Sequence, residues 1–471
     1  MRDGFQFVGR IPYPVTEPKH LVVASEVATM DFLRLHNIPV PEVYSYSTTQ
    51  ENAAGTEYLF MELVCGKNLG DIWFDLSEKA RIDVVTNLVE LESRLFTLKF
   101  PASGSLYHID DLPARFNKID VPIAESARDT RFCIGPDTRL ALWHGKRLNI
   151  QTDRGPYSDT ATTLQAGAKK EIAYLTRFGR SLHPFQRLHR EIYGYQKQSP
   201  SEHLENLGKY LQTIPYLIPD SRNLTRPTLR HPDLQPNNVF ISEDLSVTGL
   251  IDWQHCTILP LFLQCGIPNS LQNYGDSVSE SLTRPELPPC FDELSDSEQF
   301  QEVLLLRRRQ LHYFYVATTE RLNPVHYDAL THDFSTLRRK LFDHASCPWE
   351  GDSVTLKVDL INLTRSWNEF TTSTSNDARP PSCPIAFSEA EVSKCLRLHA
   401  AQVEADEQLQ ACRNVVGIGP EGWVPLEQYD EIKRQEMKLK ADALEAAESE
   451  EEREKLCEHW IFDDFDEEEY S

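Results

Sequence analysis

No two of the ten cysteines form a CxxC pair and their spacing is irregular, so neither a disulfide framework nor a zinc site is indicated. No apolar run is long enough to cross a membrane. The longest, near Ile258–Ile267, is broken by Pro260, Gln264 and Gly266 and falls short of the ~20 residues a span requires. A basic excess is also missing: 48 Lys and Arg stand against 72 Asp and Glu, for a net charge of −24. That removes the cationic footprint nucleic-acid binding needs. The first residues read as a strand, with neither the n-region nor the apolar h-region of a secretory signal. No internal repeat occurs.

What is present describes a globular body. Of the 471 residues, 40% are hydrophobic and 25% charged, enough for one large two-lobed enzyme or two to three domains. The acidity is uneven. Residues 442–471 hold 14 Asp or Glu against Arg453 and Lys455, so half of the excess sits in the last 30 positions. Such a tail reads as a solvated end, with a docking role as the alternative.

Along the chain, Asp3-Gly4 is a hairpin turn pair and Phe5–Ile11 alternates as a strand, stopped by Pro12 and Pro14. Leu21–His36 has helical periodicity, with Val22, Val23, Glu26, Val27, Met30, Leu33 and Arg34 at helical spacing. Asn37-Ile38-Pro39 ends it. Val43–Ser47 and Tyr58–Val64 read as a strand pair, and Gly66 and Gly70 as a flexible join. Helices are expected at 78–98, 163–175, 204–214, 300–320, 327–343, 389–412 and 426–456. Between Pro101 and Tyr157 the pattern is irregular, with a short hairpin around 106–112. His183, His189 and His203 read as satisfied surface or core histidines, and the basic stretch Phe178–Arg190 as a solvated helix face.

The chemistry is concentrated in Leu229-Arg230-His231-Pro232-Asp233-Leu234-Gln235-Pro236-Asn237-Asn238-Val239-Phe240-Ile241 and Gly249-Leu250-Ile251-Asp252-Trp253. The form is His-x-Asp-x4-Asn, an apolar strand, a turn at 242–246, and a second strand ending on an Asp. Phosphoryl transfer needs a carboxylate to orient the acceptor hydroxyl and take its proton, and oxygen ligands to hold Mg²⁺ on the phosphates. Asp233 suits the first role. Asn238 and Asp252 suit the second, since Mg²⁺ takes few protein oxygens and the paired strands bring these two together. The plainer alternative is a hairpin with turn-forming Asp and Asn, but apolar strands ending on unpaired carboxylates are costly without a ligand.

These residues resemble the aminoglycoside phosphotransferase and choline kinase group of kinase-like enzymes, which has an HxDxxxxN loop and an Ile-Asp-Trp/Phe metal run. More narrowly, the chain resembles the fungal branch related to altered inheritance of mitochondria protein 9. The carriers are Arg10-Ile11-Pro12-Tyr13-Pro14, Ser25-Glu26-Val27-Ala28-Thr29-Met30, Ile38-Pro39-Val40-Pro41, Asp153-Arg154-Gly155-Pro156, Glu421-Gly422-Trp423 and Trp460. The resemblance implies an α+β, bilobal protein-kinase-like fold, ATP and Mg²⁺, and names no substrate. Under it, Asp233 is the catalytic base and Asn238 and Asp252 are the metal ligands. Arg10 stands where a phosphate-contacting Lys is usual, with Glu26 as its helix-borne brace. Arg is no neutral replacement, although it binds phosphate well. An ordinary surface ion pair is the alternative for Arg10–Glu26. Met61 and Leu63 would be the hinge beside adenine through their backbones, or else part of a plain buried strand.

Pro232 in the loop and the lack of an Ala-Pro-Glu run after Asp252 argue against a protein kinase. No glycine-rich phosphate loop precedes Arg10, so the chain reads as beginning inside its own N-lobe, and this form is expected to bind ATP weakly. The expected organisation is an incomplete N-lobe over 1–66, a C-lobe over 67–440 carrying the loop at 229–253, and an acidic helical tail over 441–471. The long segment between Gly66 and His231 reads as an insertion shaping a substrate pocket. The expected function is ATP-dependent phosphorylation of a hydroxyl on a small molecule, with a non-catalytic pseudokinase or scaffold as the alternative. Expected partners are nucleotide and that substrate, without nucleic acid or a membrane span. The resemblance implies a mitochondrial place, with the cytoplasm as the alternative.

Overall fold

The computed structural model describes residues 4–13, 16–122, 131–372, 381–418, 424, 426–463 and 467–470. Asp3 of the turn pair, Pro14 and the Glu421-Gly422-Trp423 run lie outside them. The class is α+β as expected: small antiparallel sheets early in the chain, then a body of helices.

Strands β1 (Phe7–Arg10), β2 (Val43–Ser47) and β3 (Tyr58–Glu62) form an antiparallel sheet in the order β1-β3-β2. Val8 pairs with Met61 and Arg10 with Leu59, so alternation places these four on one face. Leu59 and Met61 are buried in the main core with Val23, Val27 and Met30 of helix α1 (Lys19–Leu35). The other face carries Phe7, Tyr58 and Phe60, with the Phe7 and Phe60 rings 5.2 Å apart.

Helix α1 is buried nearly all round, more than its single apolar stripe predicts. A second sheet explains this. Strands β5 (Ser105–His108), β6 (Ile119–Val121) and β7 (Phe132–Gly135) pair in the order β5-β7-β6. Tyr107 and Cys133 pack on Leu21 and Ala24 of α1, and His108 Nε2 lies 3.1 Å from Asp31 Oδ2. The hairpin expected around 106–112 is therefore absent. The partner of β5 is β7, more than twenty residues onward, a pairing no local alternation can specify.

Between the sheets and the body run β4 (Lys67–Asn68), α2 (Leu69–Ile72) and α3 (Glu78–Phe96). The body proper opens with α4 (Thr160–Phe178), α5 (Arg187–Ile192) and the helix Ser201–Leu217. The expected helix at 327–343 is two, Pro324–Leu330 and Ser335–Ser346, broken where Phe334 takes a left-handed φ of 57°. The expected 426–456 helix is likewise split into Tyr429–Ala446 and Glu450–Glu458, the second N-capped by Ser449. Helix Val354–Arg365 went unforeseen. All ten thiols are free. Among the described residues no helix is long and apolar enough to cross a membrane.

Two readings are corrected. The stretch 178–190 is no solvated helix face: α4 ends at Phe178, and Arg190 in α5 is buried. The tail is more than solvated charge. Trp460 is buried as a lone aromatic in a charged run should be, but so is Tyr470, which joins the main core.

The body also buries an ion triad. Glu171 accepts from Arg147 Nε and Nη2 at 2.7 Å and from Lys170 Nζ at 2.8 Å, and all three side chains are fully buried. Arg147 stacks on the Tyr174 ring at 3.7 Å, and the Trp349 backbone N–H donates to the same carboxylate. Burial alone would raise this carboxyl, but the cations overcome it and hold it at about 2. Removing one partner leaves buried charge uncompensated. Glu171→Ala is expected to cost about 3–5 kcal/mol of unfolding free energy in urea titrations, and a loss under about 1 kcal/mol would contradict this account.

Candidate functional site

The site forms where β1, α1 and the segment around β9 (Val239–Ile241) and β10 (Val247–Leu250) converge. Strand β8 (Pro227–Leu229) delivers the His231 loop, and β9 and β10 pair antiparallel with β4 beside them. Just before the loop, Arg230 donates to Glu92 Oε1 at 2.8 Å and to the carbonyls of Gln264 and Gly266. That anchors β8 to α3 and to the chain after β11 (Ile258–Pro260).

His231 joins the two motif halves. Its Nδ1 accepts from the Asp233 backbone N–H at 3.1 Å, which leaves Nε2 to donate to the Ile251 carbonyl at 2.9 Å. Burial lowers its pKa to about 4, so the ring is neutral and the tautomer fixed. The Trp253 indole, fully buried, meets it edge-on at 4.5 Å.

Asn238 donates from Nδ2 to the Asp233 carbonyl at 2.9 Å and to Asp233 Oδ2 at 3.3 Å. Its own carbonyl accepts from Ile251 N–H at 3.0 Å, so Asn238 and the residue before Asp252 are tied directly. Gln235 Nε2 also donates to Asp233 Oδ2, at 2.6 Å. The loop is held from the other side by Asn68, whose Nδ2 donates to the Asn237 carbonyl. Gly70 allows this approach: a Cβ there would lie 1.8 Å from Asn237 Oδ1.

Asp252 sits at φ 66°, a conformation Asp tolerates better than most residues and one found where a site constrains the backbone. Arg10 reaches it. Nη1 lies 2.6 Å from Glu26 Oε1 and Nη2 lies 2.6 Å from Asp252 Oδ1. Burial opposes the Arg10 charge, but the two carboxylates outweigh it and raise the Arg10 pKa. Burial raises the Glu26 carboxyl to about 7, against the pull of Arg10 and with Asp252 adding to the rise.

Of the residues singled out by sequence, Arg10, Glu26 and Asp252 form one ion-paired group, and Asp233 and Asn238 one hydrogen-bonded group. The Ile251–Asn238 and His231 bonds join the two. Met61 lies in the core beneath the first sheet, and Leu63 follows the end of β3, half exposed. Neither side chain belongs to the polar group. The sequence gives Gln235 and Asn68 no role and reads Gly70 as part of a flexible join, where the structure shows a close approach to Asn237, since each acts by a contact that spacing does not encode. For a divalent cation the fit is with oxygen donors. Asn238 Oδ1 and Asp252 Oδ2 would be the hard oxygen donors available, of the kind Mg²⁺ takes in small number. No described cluster of three or more His, Cys, Asp or Glu could hold a metal by itself.

The phosphotransferase enzyme family model matches residues 3–262. A subtelomeric hrmA-associated cluster protein of Aspergillus fumigatus is 31% identical over 95% of this chain and 90% of its own length. The mitochondrial altered inheritance of mitochondria protein 9 of Clavispora lusitaniae is 26% identical over 93% of this chain and 75% of its own length. Among solved structures, a thermostable mutant of an aminoglycoside phosphotransferase matches at a TM-score of 0.30 and 14% identity, covering 72% of this chain and 86% of that one.

Glu26 gives the site a pH signature. Its carboxyl has an ordinary value of 4.5 and lies near 7 in the folded chain. Between these values the folded state keeps a proton the unfolded state has lost, so the contribution of Glu26 to stability is fully present below 4.5 and is lost as pH rises through 7. Urea titrations of native and Glu26→Gln proteins from pH 4.5 to 8 are expected to show the native-minus-variant difference in stability falling by a few kcal/mol as pH rises. An identical slope in both proteins would refute the assignment.

Proposed function

This chain belongs to the phosphotransferase enzyme family, and from that premise we propose that it transfers the γ-phosphoryl group of ATP to a hydroxyl of a small molecule, with Mg²⁺. The reading rests on the joining of Asp233, Asn238 and Asp252 through His231 and the Ile251–Asn238 bond. In it, Asp233 orients the acceptor hydroxyl and takes its proton as the new P–O bond forms. Gln235 and Asn238 fix that carboxylate by donating to Oδ2. Asn238 Oδ1 and Asp252 would hold Mg²⁺, which would supply positive charge to offset that of the phosphates. Arg10 contacts phosphate, braced by Glu26. The backbones of Met61 and Leu63 flank the adenine. A mitochondrial place is proposed from the name of the Clavispora relative, with the cytoplasm as the alternative.

One observation favours a second reading, a binding scaffold of the same fold. Arg10 Nη2 occupies Asp252 Oδ1 at 2.6 Å, an oxygen a metal would share. Titration of labelled ATP with and without Mg²⁺, plus ATP consumption against a panel of hydroxylated small molecules, separates the two. Under the enzyme reading Asp233→Ala lowers turnover by at least ~10²-fold with nucleotide affinity nearly unchanged. Asp252→Asn removes the Mg²⁺ dependence of binding. Equal loss of turnover and affinity on Asp233→Ala contradicts its role, and Mg²⁺-independent binding in the native protein favours the scaffold.

A further inference from the structure

The C-terminal segment is seated on one short stretch of the body. Tyr470 is buried, its hydroxyl donating to the His183 carbonyl at 3.0 Å and accepting from Arg190 Nη2 at 3.3 Å, with the Phe185 ring edge-on at 5.3 Å. Glu469 meets Lys197 at 2.9 Å through its carboxylate and Arg180 at 2.8 Å through its carbonyl. Further back, Arg187 donates to the carbonyls of Glu458 and Asp463, and His459 stacks on Tyr195 while accepting from Arg190 Nη1 at 3.0 Å.

The division of labour is one-sided. Residues 180–197 supply four cations and two aromatic faces, while the last 30 positions carry 14 carboxylates against two basic residues. Arg180 and Arg187 read main-chain carbonyls, which any peptide presents. Selectivity comes from a tyrosine-sized pocket and from the charge beside it. The Lys197–Glu469 ion pair is exposed and worth at most about 1 kcal/mol. The buried Tyr470 ring anchors the tail, and the tether adds a roughly millimolar effective concentration. A ligand held this way can be displaced.

We propose that residues 180–197 form a recognition face for acidic, tyrosine-anchored peptide segments of a partner protein, which the chain's own C-terminus fills in cis.

The probe is a fluorescein-labelled peptide of residues 458–471, titrated into the full chain and two full-length variants that loosen the cis tail. Tyr470→Ala empties the pocket. Glu469→Arg keeps the buried ring but opposes Arg180 and Lys197, which guards against a folding defect in the first. Both variants are expected to bind the peptide at least tenfold more tightly than the native chain. Binding should weaken as salt is raised and be lost when Arg180→Glu and Lys197→Glu are added to Glu469→Arg. Equal affinity for native and loosened chains, or no binding to either loosened chain, overturns the proposal. So does a Tyr470-dependent dimer of the native chain in light scattering, which would assign the face to a second copy.

Discussion

One guanidinium ties together three parts of the chain. Arg10 on β1 binds Glu26 on α1 and Asp252 after β10, partners 16 and 242 positions away. Glu26 is almost wholly buried, and a buried carboxylate without a cation is among the costliest features a fold can carry. Arg serves this bridge better than Lys, because its planar fork reaches two carboxylates at once and stays charged in a dry setting.

Around that bridge, the polar groups follow from what backbone and burial require. His231, made neutral by burial, passes hydrogen bonding from the Asp233 amide to the Ile251 carbonyl. It thereby satisfies two backbone groups that would otherwise be stranded. Asn238 does the same between Asp233 and Ile251. The carboxylates are thus positioned by neighbours that are themselves fixed, a condition for precise chemistry.

The legible parts of this molecule were the local ones. His231, Asp233, Asn238 and Asp252 sit within one strand-turn-strand unit, where spacing translates directly into proximity. Helix α1 and strands β2 and β3 were legible from periodicity and proline breaks. The Arg10–Asp252 contact was not, because nothing in a sequence reports a meeting across so many residues. The β5–β7 pairing failed for the same reason. The tail misled differently: its charge run describes a solvated end, and the single ring of Tyr470 decides otherwise, through a basic segment 280 residues upstream. Composition averages over such an anchor.

Strand β5 has a mechanical consequence. At its start, Gly104 exchanges backbone hydrogen bonds with Ile258, and Ser105 Oγ donates to the Cys256 carbonyl. Further along, Tyr107 and His108 grip α1. The sheet-bearing front and the helical body are therefore stitched together through β5 as well as through the Arg10 bridge and the covalent link through 63–66. A body fastened along a line does not swing open like a door. Glu26 and Asp252, which lie across that seam on the two arms of Arg10, are thereby kept at one spacing.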